Sequence, residues 1–279
     1  MSKPMPETNP IAGIEQTAAT ARPRPDFLSL PDRTSKPRTT GLTHVLDKGV
    51  SIKALSAGID AIAAYADIWK LGWGTAYVDP GVADKVALLA AHDIVACSGG
   101  TLLEIAWAQG KAQDFLAWAA DTGFAAVEVS NGLVDMPIVE KRRLIQRTSR
   151  NFTVLAEVGS KDPQAPVSAE QWRHEMRSDL DAGARWVIAE GRESGTVGIY
   201  SGDGSVRVSL VEALLEYPVI FEAPRKDQQA WFIRTVGSNA SLGNVATDDV
   251  LSLEALRLGL RADTAILTVP GLADTASAR

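Results

Sequence analysis

From Thr43 onward, short apolar runs rich in β-forming residues alternate with longer stretches whose apolar positions recur at helical spacing. The runs are THVLD (43–47), ADIWKLGWG (66–74), DIVACSGG (93–100), FAAVEVSNG (124–132), FTVLAEVGS (152–160), RWVIAEGRE (185–193), PVIFEAP (218–224) and ASLGNVA (240–246). They recur roughly every 20 to 35 residues, the size of one βα unit. Near-continuous apolar runs are the mark of parallel strands buried on both faces. Eight such units without a large insertion predict an α/β chain folded as one closed (β/α)8 TIM barrel, rather than an open doubly wound sheet.

Four of the runs end on a glutamate: Glu128, Glu157, Glu190 and Glu222. An acid at the end of a buried strand is costly unless it is paired or binds a metal. Four in successive units predict a ring of strand ends sharing one polar site, at the face where barrel chemistry sits. Side chains two apart on a strand face the same way, so Gly159 and Lys161 follow Glu157, and Arg192 follows Glu190. Asp47, Lys48 and Lys70 come from the first two strands, Asn244 from the last, and Arg225 and Lys226 from the loop above Glu222. Carboxylates suit Mg²⁺, a hard cation that prefers oxygen ligands. Lysines and arginines suit phosphate, sulfonate or carboxylate groups. The alternative for any one of these acids is an ion pair that closes the barrel.

Between the runs, LLEIAWAQGKAQDFLAWAADTG (102–123) is predicted as a helical stretch that stops at Gly123. Ser168, three residues before Gln171, opens a helix with a capping box. SGGT (98–101), with Gly99 and Gly100, and GWGT (72–75) precede helices and are candidate anion cradles. The loop ESGTVGIYSGDG (193–204), which includes Gly195, is a candidate lid or anion loop, with an ordinary surface loop as the alternative. Trp69 and Trp73 are expected to pack in the core or at the rim, and Cys97 in the core. His44, His92 and His174 have no metal-ligand spacing.

The formal net charge of -6 argues against general nucleic-acid binding. It leaves room for small anionic substrates, because cations can gather in a cleft. No apolar run reaches the roughly 18 residues of a membrane span. The N-terminus lacks the apolar stretch of a secretory signal. One cysteine permits no intramolecular disulfide, which fits a cytoplasmic setting. Residues 1–25 are expected as a disordered extension, 26–264 as the barrel and 265–279 as a flexible tail.

Taken together, LDKG (46–49), KLGWGT (70–75), GGTLLE (99–104), VEVSNG (127–132), EVGSKD (157–162), EGRESG (190–195), FEAPRKDQQ (221–229), LGNVA (242–246) and LEALRLGLRADT (253–264) resemble the phosphosulfolactate synthase family, which also includes a plant heat-stress relative. PDRTSKPRTTG (31–41) resembles its bacterial members, so the likeness covers about residues 26–264. The resemblance implies a (β/α)8 barrel that uses Mg²⁺ to add sulfite to phosphoenolpyruvate. The product would be (R)-2-phospho-3-sulfolactate, on the way to coenzyme M or sulfolactate. It implies a homo-oligomer, with a trimer as one form.

On this resemblance Lys161 matches the lysine that protonates C2, with Arg192 and Lys70 beside it. Lys48, Arg225, Gly99, Gly100, Gly195 and Asn244 are the substrate-binding candidates, and Glu157 and Glu190, then Glu128 and Glu222, the Mg²⁺ candidates. Two other readings stand beside it: a different Mg²⁺-dependent barrel lyase or aldolase that forms an enolate, and a stress-associated barrel with little catalysis.

Overall fold

The computed structural model describes residues 25–159, 168–269 and 271–272. The eight runs form β1 (Thr43–Asp47), β2 (Ile68–Leu71), β3 (Val95–Ser98), β4 (Ala126–Val129), β5 (Thr153–Val158), β6 (Trp186–Ala189), β7 (Val219–Glu222) and β8 (Leu242–Ala246). Each strand pairs in parallel with the next, and β8 closes on β1. The helices among the described residues are α1 (Ile52–Ile62), α2 (Thr75–Val78), α3 (Val82–Ala91), α4 (Gly100–Ala108), α5 (Ala112–Thr122), α6 (Ile138–Thr148), α7 (Ala169–Asp181), α8 (Val208–Leu214), α9 (Lys226–Thr235) and α10 (Val250–Arg257). The expected closed TIM barrel is the observed fold.

Strand alternation divides the core into two shells. Val45, Trp69, Val127, Ala156, Val187 and Phe221 pack outward with helix residues such as Leu55, Leu89 and Phe232. Leu42, Ile68, Cys97, Ala126, Leu155, Ile188 and Ile220 form a separate inner layer across the barrel axis. The next inward position on each strand, two residues on, is His44, Lys70, Gly99, Glu128, Glu157, Glu190 and Glu222. The polar ring is therefore one strand repeat above an apolar floor, and the same alternation that builds the floor aims the acids.

On β8 the register slips: Thr43 pairs with Leu242 but Val45 with Val245. Gly243 and Asn244 occupy the resulting bulge, with Asn244 at φ 53°. Bulges of this kind re-aim a side chain at a barrel rim.

The strands' other end is closed by charge. Arg33 pairs with Glu254 at 3.1 Å and Arg38 with Asp67 at 2.9 Å. The buried Arg257 guanidinium donates to the carbonyls of Ser238, Ala240 and Leu42.

Ser168 accepts from Gln171 N at 3.3 Å, the expected cap of α7, and Gly123 ends α5 at φ 92°. The stretch 102–123 lies in two helices rather than one. Gly110 adopts φ 71° between α4 and α5, a conformation open to glycine that a helix cannot continue through.

The extension expected over residues 1–25 falls outside the described residues up to residue 24. Beyond residue 264 the chain still packs: Ala265–Leu267 make one 3-10 turn, and Thr268 Oγ1 donates to Gly259 O at 2.8 Å. No helix among the described residues is long and apolar enough to cross a membrane.

Candidate active site

At the carboxyl ends of the strands lies a cavity of about 200 Å³. Glu128, Glu157, Glu190, Glu193 and Glu222 line it, with Lys70, Arg192, Asn244, Trp73 and the Gly99–Gly100–Thr101 turn. The four strand-end glutamates are buried, none more than 5 % exposed. The structure thus brings the acids from β4 and β7, and those at the ends of β5 and β6, to one place.

Lys70 from β2 sits among them. Its Nζ is 3.0 Å from Glu128 Oε2 and 3.4 Å from Glu222 Oε1. Glu128 Oε1 accepts from Gly100 N at 3.0 Å. Glu222 Oε2 accepts from Gly191 N and Arg192 N, at 3.0 and 2.9 Å. Glu190 Oε1 accepts from Arg192 N at 2.7 Å. Two of the four acids are therefore committed to a lysine and to backbone N–H groups, the ion-pair alternative for Glu128 and Glu222.

Two close approaches depend on glycine. A Cβ on Gly100 would meet Ser130 Oγ at 2.3 Å, and one on Gly198, at φ 62°, would meet the Glu190 carbonyl at 2.0 Å.

Burial alone would push the Lys70 ammonium down, but Glu128, Glu222 and Glu157 overcome it and hold its pKa well above the usual lysine value. It stays charged throughout the working range. Burial pushes the Glu128 carboxyl up; Lys70 opposes this, and Glu157 and Glu222 reinforce it, for a net rise. A raised carboxyl pKa means the folded state keeps this proton to higher pH than the unfolded chain, so stability falls as pH rises above about 4.3, the ordinary glutamate value. Glu128→Gln removes that fall. Its unfolding free energy relative to the wild type is expected to climb as pH rises through this window, then level off. Urea melts of both proteins across about pH 4 to 8 check it, and a constant or shrinking difference would contradict the assignment.

Beneath Lys70, His44 is fully buried in the barrel, with neither ring nitrogen hydrogen-bonded among the described residues. Burial, then the Lys70 charge, pushes its pKa well below the usual value, so it is neutral.

Other expected site residues lie elsewhere. Asp47 faces outward, because it shares the phase of Val45; it pairs with Lys85 at 3.2 Å and accepts from Trp69 Nε1 at 3.0 Å. Lys48 is exposed at the rim, its Nζ 5.3 Å from the Trp73 ring centroid. Arg225 is also exposed and pairs with Asp227 at 2.9 Å. Of the cations expected at the mouth, Lys70 and Arg192 line the cavity, while Lys161 lies outside the described residues.

The Gly100 N–H of the expected anion cradle is taken by Glu128. Gly195 does not reach the cavity; its carbonyl accepts from Gln228 at 2.8 Å. Gln228 also binds Gly204 O, and Tyr200 OH donates to Glu222 O at 2.6 Å. These bonds pin the loop 193–204 down as a wall at both ends and its middle, which does not suit a lid.

The sequence reading missed three contributors. Trp73 lines the cavity instead of only packing, whereas Trp69 is a core residue as expected. Lys141 is buried under β5; it donates to Glu157 O at 2.6 Å and pairs with Asp179 and Glu175. Its signal was its phase, since Lys141, Leu144, Ile145 and Thr148 are the buried positions of α6. Glu104, on α4, accepts from Leu133 N and Val134 N and holds the turn after β4.

Among the described residues no three His, Cys, Asp or Glu side chains converge as a metal cage. Mg²⁺ characteristically takes one or two carboxylates and keeps several waters. The oxygen-rich lining, with more carboxylates than cations among the described residues, fits a cation held that way.

Residues 31–263 match the family model described as (2R)-phospho-3-sulfolactate synthase (ComA). The chain is 40% identical over 250 residues to the phosphosulfolactate synthase of Bacillus subtilis, covering 87% of this chain and 99% of that one. It is 42% identical over 234 residues to that of Methanocaldococcus jannaschii, covering 80% and 93%. Among solved structures, 3-keto-L-gulonate-6-phosphate decarboxylase from Vibrio cholerae aligns with a TM-score of 0.52 at 10% identity, over 83% of this chain and 100% of that chain, a likeness of fold alone.

Proposed function

The chain belongs to the phosphosulfolactate synthase family, and from that premise we propose that it forms a carbon–sulfur bond by adding sulfite to C3 of phosphoenolpyruvate, giving (R)-2-phospho-3-sulfolactate. The observation that carries this reading is the lining of the cavity: five carboxylates and two cations around about 200 Å³. That space is below the roughly 300–1,000 Å³ of pockets for larger ligands, which suits two small reactants. Both reactants are anions, so a carboxylate-rich site accepts them only with added positive charge.

Glu157 and Glu190, oxygen donors at the ends of β5 and β6 in the cavity lining, would hold Mg²⁺. Bound there, the ion would act as a Lewis acid on the charge that builds on the substrate carboxylate.

Arg192 at the cavity wall orients the anionic groups while the sulfite sulfur lone pair forms the bond to C3 and the C2–C3 π pair moves towards the carboxylate. Lys70, fixed and always charged, supplies a stationary positive field beneath this charge shift. Its raised pKa makes it a poor proton donor. The proton that C2 takes up is assigned to Lys161, in the matching motif EVGSKD. Asn244 offers a buried Oδ1 that has no hydrogen-bond partner among the described residues, an acceptor for a ligand group.

The test is phosphorus NMR of purified protein with phosphoenolpyruvate, with and without sulfite and Mg²⁺. A new phosphate-ester signal that needs both is the expected result. No sulfite-dependent product from folded protein that binds Mg²⁺ would overturn the reading in favour of another nucleophile or a non-catalytic role.

A further inference from the structure

Four non-glycine residues among those described have positive φ: Trp73, Asp93, Arg192 and Asn244. Three of them line the cavity. Trp73 is the most unusual. A bulky aromatic at φ 55° occupies backbone space that L residues avoid, and such outliers concentrate at functional sites. Burial does not repay it, because the side chain is 55 % exposed. The turn is held by Thr75, whose N and Oγ1 both donate to Gly72 O, at 2.9 and 2.8 Å. What the ring faces is the Lys48 ammonium, 5.3 Å from its centroid. That distance is within the range of a cation–π contact.

The turn that carries Lys48 is built with equal care. Asp47 Oδ1 accepts from Gly49 N and Val50 N, both at 2.7 Å. Asp47 is itself fixed by Lys85 and Trp69. Two anchored turns, after β1 and β2, therefore bring a long flexible lysine against a strained, exposed tryptophan on the cavity wall.

We propose that Trp73 is a positioning residue: it holds the Lys48 ammonium over the rim of the cavity, where it meets the anionic end of the incoming substrate and sets affinity rather than the rate of the chemical step. The inference rests on the anionic-substrate reading of this cavity.

Trp73→Gly removes the ring and suits the backbone. Its Tm is expected to equal or exceed that of the wild type. Its KM for phosphoenolpyruvate should rise roughly three- to tenfold, the worth of one partly exposed cation–π contact, with kcat little changed. Trp73→Phe keeps a ring face and should stay within about twofold of the wild-type KM. Lys48→Met should raise KM at least as much as Trp73→Gly, and the double variant should rise no further than Lys48→Met, since the ring acts through the ammonium.

A lowered Tm in Trp73→Gly, a loss of kcat with KM unchanged, or additive effects in the double variant would overturn the proposal. If the wild type shows no sulfite-dependent turnover, the reaction reading falls by itself. Calorimetric binding of phosphoenolpyruvate to the same proteins then decides the pairing, and equal affinities throughout would overturn it.

Discussion

Lys70→Met is expected to lower stability by about 3–5 kcal/mol at neutral pH, the usual effect of deleting one partner of a buried ion pair, and to abolish product formation. The reason is the charge around the side chain. Lys70 is 5 % exposed and stands between Glu128 and Glu222. Without it, those carboxylates face each other and Glu157 with little exposure to solvent. Methionine fills the space but supplies no charge, so the loss reports electrostatics rather than a cavity.

The loss should shrink as pH falls, because the glutamates then take up protons in place of the lysine. Lys70→Arg should not restore the wild type, since a planar fork cannot replace a point charge among acids from different strands. Urea melts at neutral and acidic pH, together with the phosphorus NMR assay, measure both effects. A variant that melts like the wild type at neutral pH would show that Lys70 does not neutralise this ring.

The second large effect concerns the metal. Glu157→Gln and Glu190→Gln should each weaken Mg²⁺ binding by roughly a hundredfold or more, because changes one step further out, in the groups that merely orient ligands, already cost 10- to 100-fold. Turnover at fixed Mg²⁺ should fall with the affinity. Gln is nearly isosteric and keeps one oxygen, so the fold should hold; Glu128→Gln is the control, as that carboxylate is committed to Lys70 and Gly100 N. Titration calorimetry with Mg²⁺ reads binding without relying on turnover. Unchanged affinity in both variants would remove Glu157 and Glu190 from the metal site and leave the family assignment untouched.

Much of this architecture was legible because it is local. A strand that ends in an acid announces itself by its apolar run, and the boundaries of β1 coincide with the expected 43–47. Alternation then says that Glu128 and the residue two before it, Ala126, share a face. Ser168 and Gly123 announce caps through chemistry confined to one helical turn. The single misreading of helix extent, across Gly110, arose because apolar spacing continues through a residue whose backbone does not.

The chain by itself determined the barrel, the ring of four glutamates and the end of the barrel on which they stand. These follow from periodicity and from the free energy of burying apolar side chains, and both are written along one strand at a time. Tertiary structure alone decided the partners. Closure of the sheet put Lys70 of β2 between Glu128 and Glu222, residues 58 and 152 positions further along the chain, and packing of α3 gave the outward-facing Asp47 its partner Lys85. It set Trp73 under Lys48 and pinned the 193–204 loop through Gln228 and Tyr200. Pattern gives the face a side chain points to; which charges meet across the axis depends on how eight strands close, and electrostatic energy acts through that distance in space rather than along the chain.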